Sequence, residues 1–139
     1  TRPTCGAPTA PGSGGAARVI GLGVDVVAVP RFREALARTP ALRERVFTDD
    51  ERALAAGRAD EAETLAVRFA AREAAMKALG VGLGAVDHRD VSVRRRADGA
   101  PELVVAGRAA ALAAARGVRG WHVSLAHDGG VAMAVVAAH

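Results

Sequence analysis

Residues 61–79, EAETLAVRFAAREAAMKAL, constrain this chain more than any other stretch. Nineteen residues without Gly or Pro, rich in Ala, Leu and Glu, predict one helix that stops at Gly80. At about 100° per residue, Glu73 and Lys77 lie one turn apart on a face that otherwise carries Ala66 and Ala70. Arg68 and Arg72 lie one turn apart on another face, among Leu65 and Leu79. No side of the helix is simply polar. A helix that is apolar all round is a buried helix, and charges embedded in it need partners. An exposed Glu–Lys pair at this spacing contributes about 0.2–0.5 kcal/mol; the surrounding alanines argue for a different use of Glu73 and Lys77.

The other elements follow from shorter patterns. Residues 18–29, RVIGLGVDVVAV, read as a buried strand. Pro30 fits the first turn of a helix, and short helices are expected over 30–38 and 41–47, divided at Thr39-Pro40. Thr48 and Glu51 form a capping-box pattern before a helix over 49–56. A glycine-punctuated loop spans 80–87. Two strands, 90–96 and 102–106, are joined by a turn at Asp98–Pro101, and a helix over 107–116 ends at Gly117. Strands at 120–126 and 131–137 flank a turn at 127–130. Strands do not alternate regularly with helices, which excludes a doubly wound sheet and predicts an α+β fold, a long helix packed on a small antiparallel sheet. Residues 1–17, rich in Pro, Gly, Ser and Thr, read as a flexible tail or linker, leaving 18–139 as one domain.

Asp25 sits among Val24, Val26 and Val27, where an ionised carboxylate needs a partner or a metal; a strand-end Asp capping a turn is the bland alternative. Gly21 and Gly23 beside it admit close backbone approach. Lys77 is the only lysine among 19 basic residues. Where arginine has otherwise displaced lysine, the survivor suggests a task for a compact ammonium, such as donating to phosphate. His127 and Asp128 lie at a strand end, a common position for site residues, although His-Asp-Gly-Gly is also a plain turn sequence. Arg94-Arg95-Arg96 reads as a solvated charge run.

The net charge of +4 calls for an anionic partner or serves solubility alone. Aromatic residues make up 3%, with no Tyr, which argues against the stacking platforms of single-strand nucleic-acid binders. No apolar stretch is long enough to span a bilayer, no secretory pattern opens the chain, and the expected location is cytoplasmic. The single cysteine, Cys5, forms no intrachain disulfide and has no metal-ligand spacing.

Four segments together resemble the holo-acyl-carrier-protein synthase family of small 4′-phosphopantetheinyl transferases: VIGLGVDVVAVPRF at 19–32, RVFTDDE at 45–51, LAVRFAAREAAMKALGVGLG at 65–84 and WHVSLAHDGGVAMAVV at 121–136. The resemblance implies that Asp25 and Glu73 bind Mg2+. It implies that Lys77 contacts the coenzyme A phosphates, that Arg68 and His127 hold the 3′-phosphate, and that Gly80, Gly82 and Gly84 line the pantetheine or nucleotide channel. Arg31 would meet an acidic acyl carrier protein, and the assembly would be a homotrimer with sites between subunits. The implied reaction is displacement at the β-phosphorus by a carrier serine, with Glu73 or a metal-bound water as base. Two residues depart from the family pattern: Arg72 stands where the family has lysine, and Ala126 where it has a small hydroxyl. A transferase dedicated to a polyketide or peptide carrier, a non-catalytic coenzyme A-binding module and a basic nucleic-acid-binding protein are the alternatives, distinguished by carrier choice, by binding without turnover, and by steep salt dependence.

Overall fold

A computed structural model describes residues 18–82 and 84–139; the 1–17 tail and Cys5 lie outside them. The chain runs β1 (Gly21–Ala28), α1 (Val29–Arg38), α2 (Leu42–Val46), α3 (Asp49–Ala56), α4 (Glu61–Leu79), a 3-10 turn (His88–Asp90), β2 (Val91–Arg95), β3 (Pro101–Val105), α5 (Gly107–Ala115), β4 (Trp121–Asp128) and β5 (Val131–Ala138). Two antiparallel sheets result, one of order β1-β5-β4 and one a β2-β3 hairpin. This is the α+β arrangement the sequence predicts, with α4 laid across the three-stranded sheet. The capping box forms as read: the Thr48 hydroxyl accepts from Glu51 N and the Glu51 carboxylate accepts from Thr48 N. α4 starts at Asp60, whose side chain accepts from Glu63 N, and ends at Gly80 with φ 70°, a left-handed cap that only glycine adopts without strain. No helix among the described residues is long and apolar enough to cross a membrane.

The close approach foreseen at Gly21 and Gly23 is made by α4 itself. A Cβ on Gly21 would lie 1.9 Å from the Ala78 carbonyl oxygen, and one on Gly23 would lie 1.8 Å from that of Ala74. Bare backbone on β1 thus meets the backbone of Ala74 and Ala78 on α4, a helix whose Ala70, Ala71, Ala74 and Ala75 are all fully buried. Strand alternation then points Asp25, two residues beyond Gly23, toward the same helix.

Of the charges embedded in α4, Arg72 is the fully paired one. Arg72 is fully buried beneath the helix and forms a two-pronged pair with Glu51 of α3, whose side chain is 1% exposed. It also donates from Nε to the His88 carbonyl at 2.8 Å, and its guanidinium lies 4.8 Å from the Phe47 ring centre. The Glu51 carboxylate accepts in addition from Val93 N at 3.1 Å, so this pair locks α3, α4 and β2 together.

The strand over 18–29 is only half buried. Leu22, Val24 and Val26 are 67%, 49% and 59% exposed, with Val131 and Met133 of β5 beside them, because none of the described residues covers the outer face of the sheet. β4 also runs further than expected: His127 and Asp128 belong to the strand, and the turn contracts to Gly129-Gly130, both at positive φ.

Candidate active site

β1 and α4 bring Asp25, Glu73 and Lys77 together. Lys77 Nζ donates to the Val24 carbonyl at 2.8 Å and to Asp25 Oδ1 at 3.3 Å, so the lysine of α4 pairs with the strand carboxylate rather than with Glu73 one turn away. Glu73 Oε1 is buried with no hydrogen-bond partner. His88 Nε2 lies 3.9 Å from it, on an imidazole stacked over Phe69. Burial, and then the charge of Asp25, raise the Glu73 carboxyl above its ordinary pKa, against the opposing pull of His88 and Lys77. Asp25, Glu73, Arg31, Phe32 and Phe69 line one open cavity of about 450 Å³. Two carboxylates on one cavity, one with an orphaned buried oxygen, fit a hard divalent cation that takes few protein ligands and completes its shell with water and phosphate. Among the described residues no group of three or more His, Cys, Asp or Glu is placed to hold a metal by itself.

A second cavity, of about 500 Å³, lies at the opposite edge of the three-stranded sheet and shares no lining residue with the first. It is lined by Arg58 of the α3–α4 connection, Arg68 of α4, Arg95 of β2 and His127 of β4. Arg68 is 4% exposed; its Nη1 donates to the Thr64 carbonyl at 3.2 Å and its Nε has no partner. Burial chiefly, and also Arg95 and Arg58, lower the Arg68 pKa, while Glu51 opposes them. His127 Nδ1 stands 3.1 Å from Glu63 Oε1. An enclosed guanidinium with an unused donor, beside two further arginines, is a receptor for a multiply charged anion.

The expected residues therefore divide. Asp25, Glu73 and Arg31 line the first cavity and Lys77 bonds to Asp25 beside it, while Arg68 and His127 belong to the second. Gly80, Gly82 and Gly84 line neither, and an added Cβ on Gly82 or Gly84 would meet nothing within 4 Å. Arg72 faces the core, so its departure from the family lysine concerns packing and not the site. Sequence reasoning missed Arg58, Arg95, Phe69, His88 and Glu63. Arg95 was hidden in the triple-arginine run, where Arg94 pairs with Glu102 and Arg96 with Asp98 while Arg95 turns toward the cavity. Strand alternation was the one signal that separated it from its neighbours.

Comparison with known proteins accords with this arrangement. The sequence model described as the 4′-phosphopantetheinyl transferase superfamily matches residues 21–136. The chain is 49% identical over 120 residues to a holo-[acyl-carrier-protein] synthase of Salinispora arenicola, covering 86% of this chain and 98% of that protein. Its fold superposes on the crystal structure of holo-[acyl-carrier-protein] synthase from Neisseria meningitidis with a TM-score of 0.81 and 27% identity, covering 88% of this chain and 99% of the other. The Bacillus anthracis holo-(acyl-carrier-protein) synthase, solved in complex with CoA (3′,5′-ADP), gives a TM-score of 0.72 at 31% identity over 88% and 97% of the two chains. With the motif segments in order, the matching topology and the paired carboxylates in place, the chain belongs to the 4′-phosphopantetheinyl transferase superfamily.

Proposed function

We propose that this chain transfers 4′-phosphopantetheine from coenzyme A to a serine of an apo acyl carrier protein, releasing 3′,5′-ADP. The observation that carries the reading is that Asp25 and Glu73 share one cavity, with Lys77 bonded to Asp25, in a chain with holo-[acyl-carrier-protein] synthase relatives. Asp25 and Glu73 would hold Mg2+, which when bound supplies positive charge to the pyrophosphate during displacement. Lys77 is within one side chain of both and is half exposed, so its ammonium can leave Asp25 for a phosphate oxygen and neutralise charge on the departing group. The raised proton affinity of Glu73 suits it to take the serine proton as the oxygen–phosphorus bond forms. Arg31, on the rim beside Phe32, offers a cation to an acidic carrier.

Arg58, Arg68, Arg95 and His127 form the complementary end, suited to the 3′-phosphate of the nucleotide. They line a different cavity from Asp25 and Glu73, and a row of exposed aliphatics covers the outer sheet face. Both facts support a homotrimer in which the arginine cavity of one subunit adjoins the carboxylate cavity of the next. The transferase reading is tested by incubating the protein with coenzyme A, Mg2+ and an apo carrier and measuring intact mass. A gain of one phosphopantetheine that requires Mg2+ and disappears in Glu73→Gln supports the reading. Coenzyme A binding without modification of fatty-acid, polyketide or peptide carriers refutes it.

A further inference from the structure

The second cavity holds a carboxylate where an anion is expected to bind. Glu63 lines it together with Arg58, Arg68 and Arg95, yet it forms no ion pair with any of the three. The other acid of the cavity, Asp60, is engaged by Arg33 through two bonds of 3.0 Å and caps α4 through Glu63 N. Glu63 instead points to His127, Oε1 to Nδ1 at 3.1 Å, reaching from the first turn of α4 to the edge strand β4. A free carboxylate among three arginines would oppose a bound phosphate. One committed to an imidazole holds that ring by one nitrogen and leaves Nε2 for the ligand.

We propose that Glu63 is a positioning residue that fixes the His127 ring so that Nε2 donates to the anion held by Arg58, Arg68 and Arg95. This rests on the reading of the second cavity as the nucleotide-phosphate end of the site. With Nδ1 turned to Glu63, the Nε2 edge of the ring is the one left to face the anion. The groups that face His127 are Arg58, Asp60, Glu63, Arg68 and Arg95, with Asp128 next in the strand. Of these, only Glu63 contacts the ring as an ion pair among the described residues.

Removing a negative charge from an anion site should tighten binding on Coulomb grounds alone. The positioning role predicts the reverse. In calorimetric titrations of the full chain with 3′,5′-ADP, Glu63→Ala is expected to weaken binding about tenfold, near the effect of one charge-assisted hydrogen bond. His127→Ala should weaken it similarly, and the double variant no more than either single one. Glu63→Gln, whose amide oxygen can still accept from Nδ1, should recover most of the ring orientation. The ¹⁵N shifts of the His127 ring should report Nδ1 hydrogen-bonded to Glu63, a signature lost in Glu63→Ala. The same variants should raise KM for coenzyme A and leave kcat unchanged. Unchanged or tighter binding in Glu63→Ala, alongside weakening in Arg68→Ala, overturns the positioning role alone. No weakening in Arg68→Ala or His127→Ala overturns the nucleotide reading of the cavity and the inference with it.

Discussion

Glu51→Gln should be among the most destabilising single-atom changes available in this chain. The native carboxylate is 1% exposed and takes two guanidinium nitrogens of Arg72, together with the backbone N–H groups of Thr48 and Val93. Replacing one oxygen by an amide keeps the shape but leaves the fully buried Arg72 without a counter-charge. Breaking one partner of a buried pair costs about 3–5 kcal/mol, most of it the desolvated charge left behind. In a domain of this size each kcal/mol shifts the melting temperature by about 4 °C, so a fall of about 12–20 °C is expected. Urea unfolding followed by circular dichroism gives the free energy directly. Thr48→Ala measures the helix-cap share separately, about 1 kcal/mol. Arg72→Lys, which restores the family residue, keeps the charge but cannot reach both oxygens and the His88 carbonyl, and should cost about 1.5–3 kcal/mol, one charged hydrogen bond. None of these variants should change kcat per folded molecule, since Arg72 and Glu51 touch neither cavity. A loss below about 1 kcal/mol in Glu51→Gln would refute the assignment of Arg72 as a buried, charge-paired anchor. A specific loss of turnover in Arg72→Lys would return that position to the catalytic machinery.

Four further outcomes follow from the geometry. Because the Glu73 pKa is raised in the fold, protonation favours the folded state, and the associated stability is present below the ordinary carboxyl range and lost as pH rises through the folded value. Glu73→Gln should therefore melt higher than the native chain at neutral pH without metal, and Mg2+ should raise the melting temperature of the native chain alone, as scanning calorimetry can show. Gly23→Ala drives a Cβ against the Ala74 carbonyl at 1.8 Å; it should cost about 1–3 kcal/mol by overpacking and lower activity further by shifting Asp25, read from unfolding curves and carrier-modification rates on one preparation. Val24→Asp places a charge on the exposed apolar sheet face, and light scattering after size exclusion should find a monomer with native helix content and no transferase activity. Arg95→Ala should raise KM for coenzyme A about tenfold, the share of one charged hydrogen bond, while Arg94→Ala, paired with Glu102 on the surface, should not.

The secondary structure was legible wherever one local cause dominated. α4 begins and ends at the residues predicted because Asp60 and Gly80 are unambiguous caps, and Thr48 with Glu51 announced α3. The candidate carboxylates were legible because Asp25 and Glu73 stand out against alanine and valine, and the structure brings both to one cavity. What the sequence did not reveal depends on contacts distant in the chain. Nothing local tells that the Arg72 guanidinium turns inward to α3 whereas Arg68, one turn earlier, opens toward a cavity. Nor does the pattern of β1 say that two of its three valines face outward, since an uncovered apolar sheet face and a buried one have the same composition. The grouping of Lys77 with Asp25, and of His127 with Glu63, follows from the crossing of α4 over the sheet, which no helical spacing encodes.

Because the carboxylates and the arginines of one chain line different cavities, two differently damaged chains can repair each other. In the proposed ring, an Asp25→Asn subunit still lends its arginine cavity and an Arg68→Ala subunit still lends its carboxylates. Each variant alone would be silent. Every mixed ring, however, contains one junction where an intact carboxylate half meets an intact arginine half. The sites thus behave as shared property of neighbours: one kind of lesion silences sites in proportion to the number of faulty chains, whereas two different lesions mixed together restore activity that neither has alone.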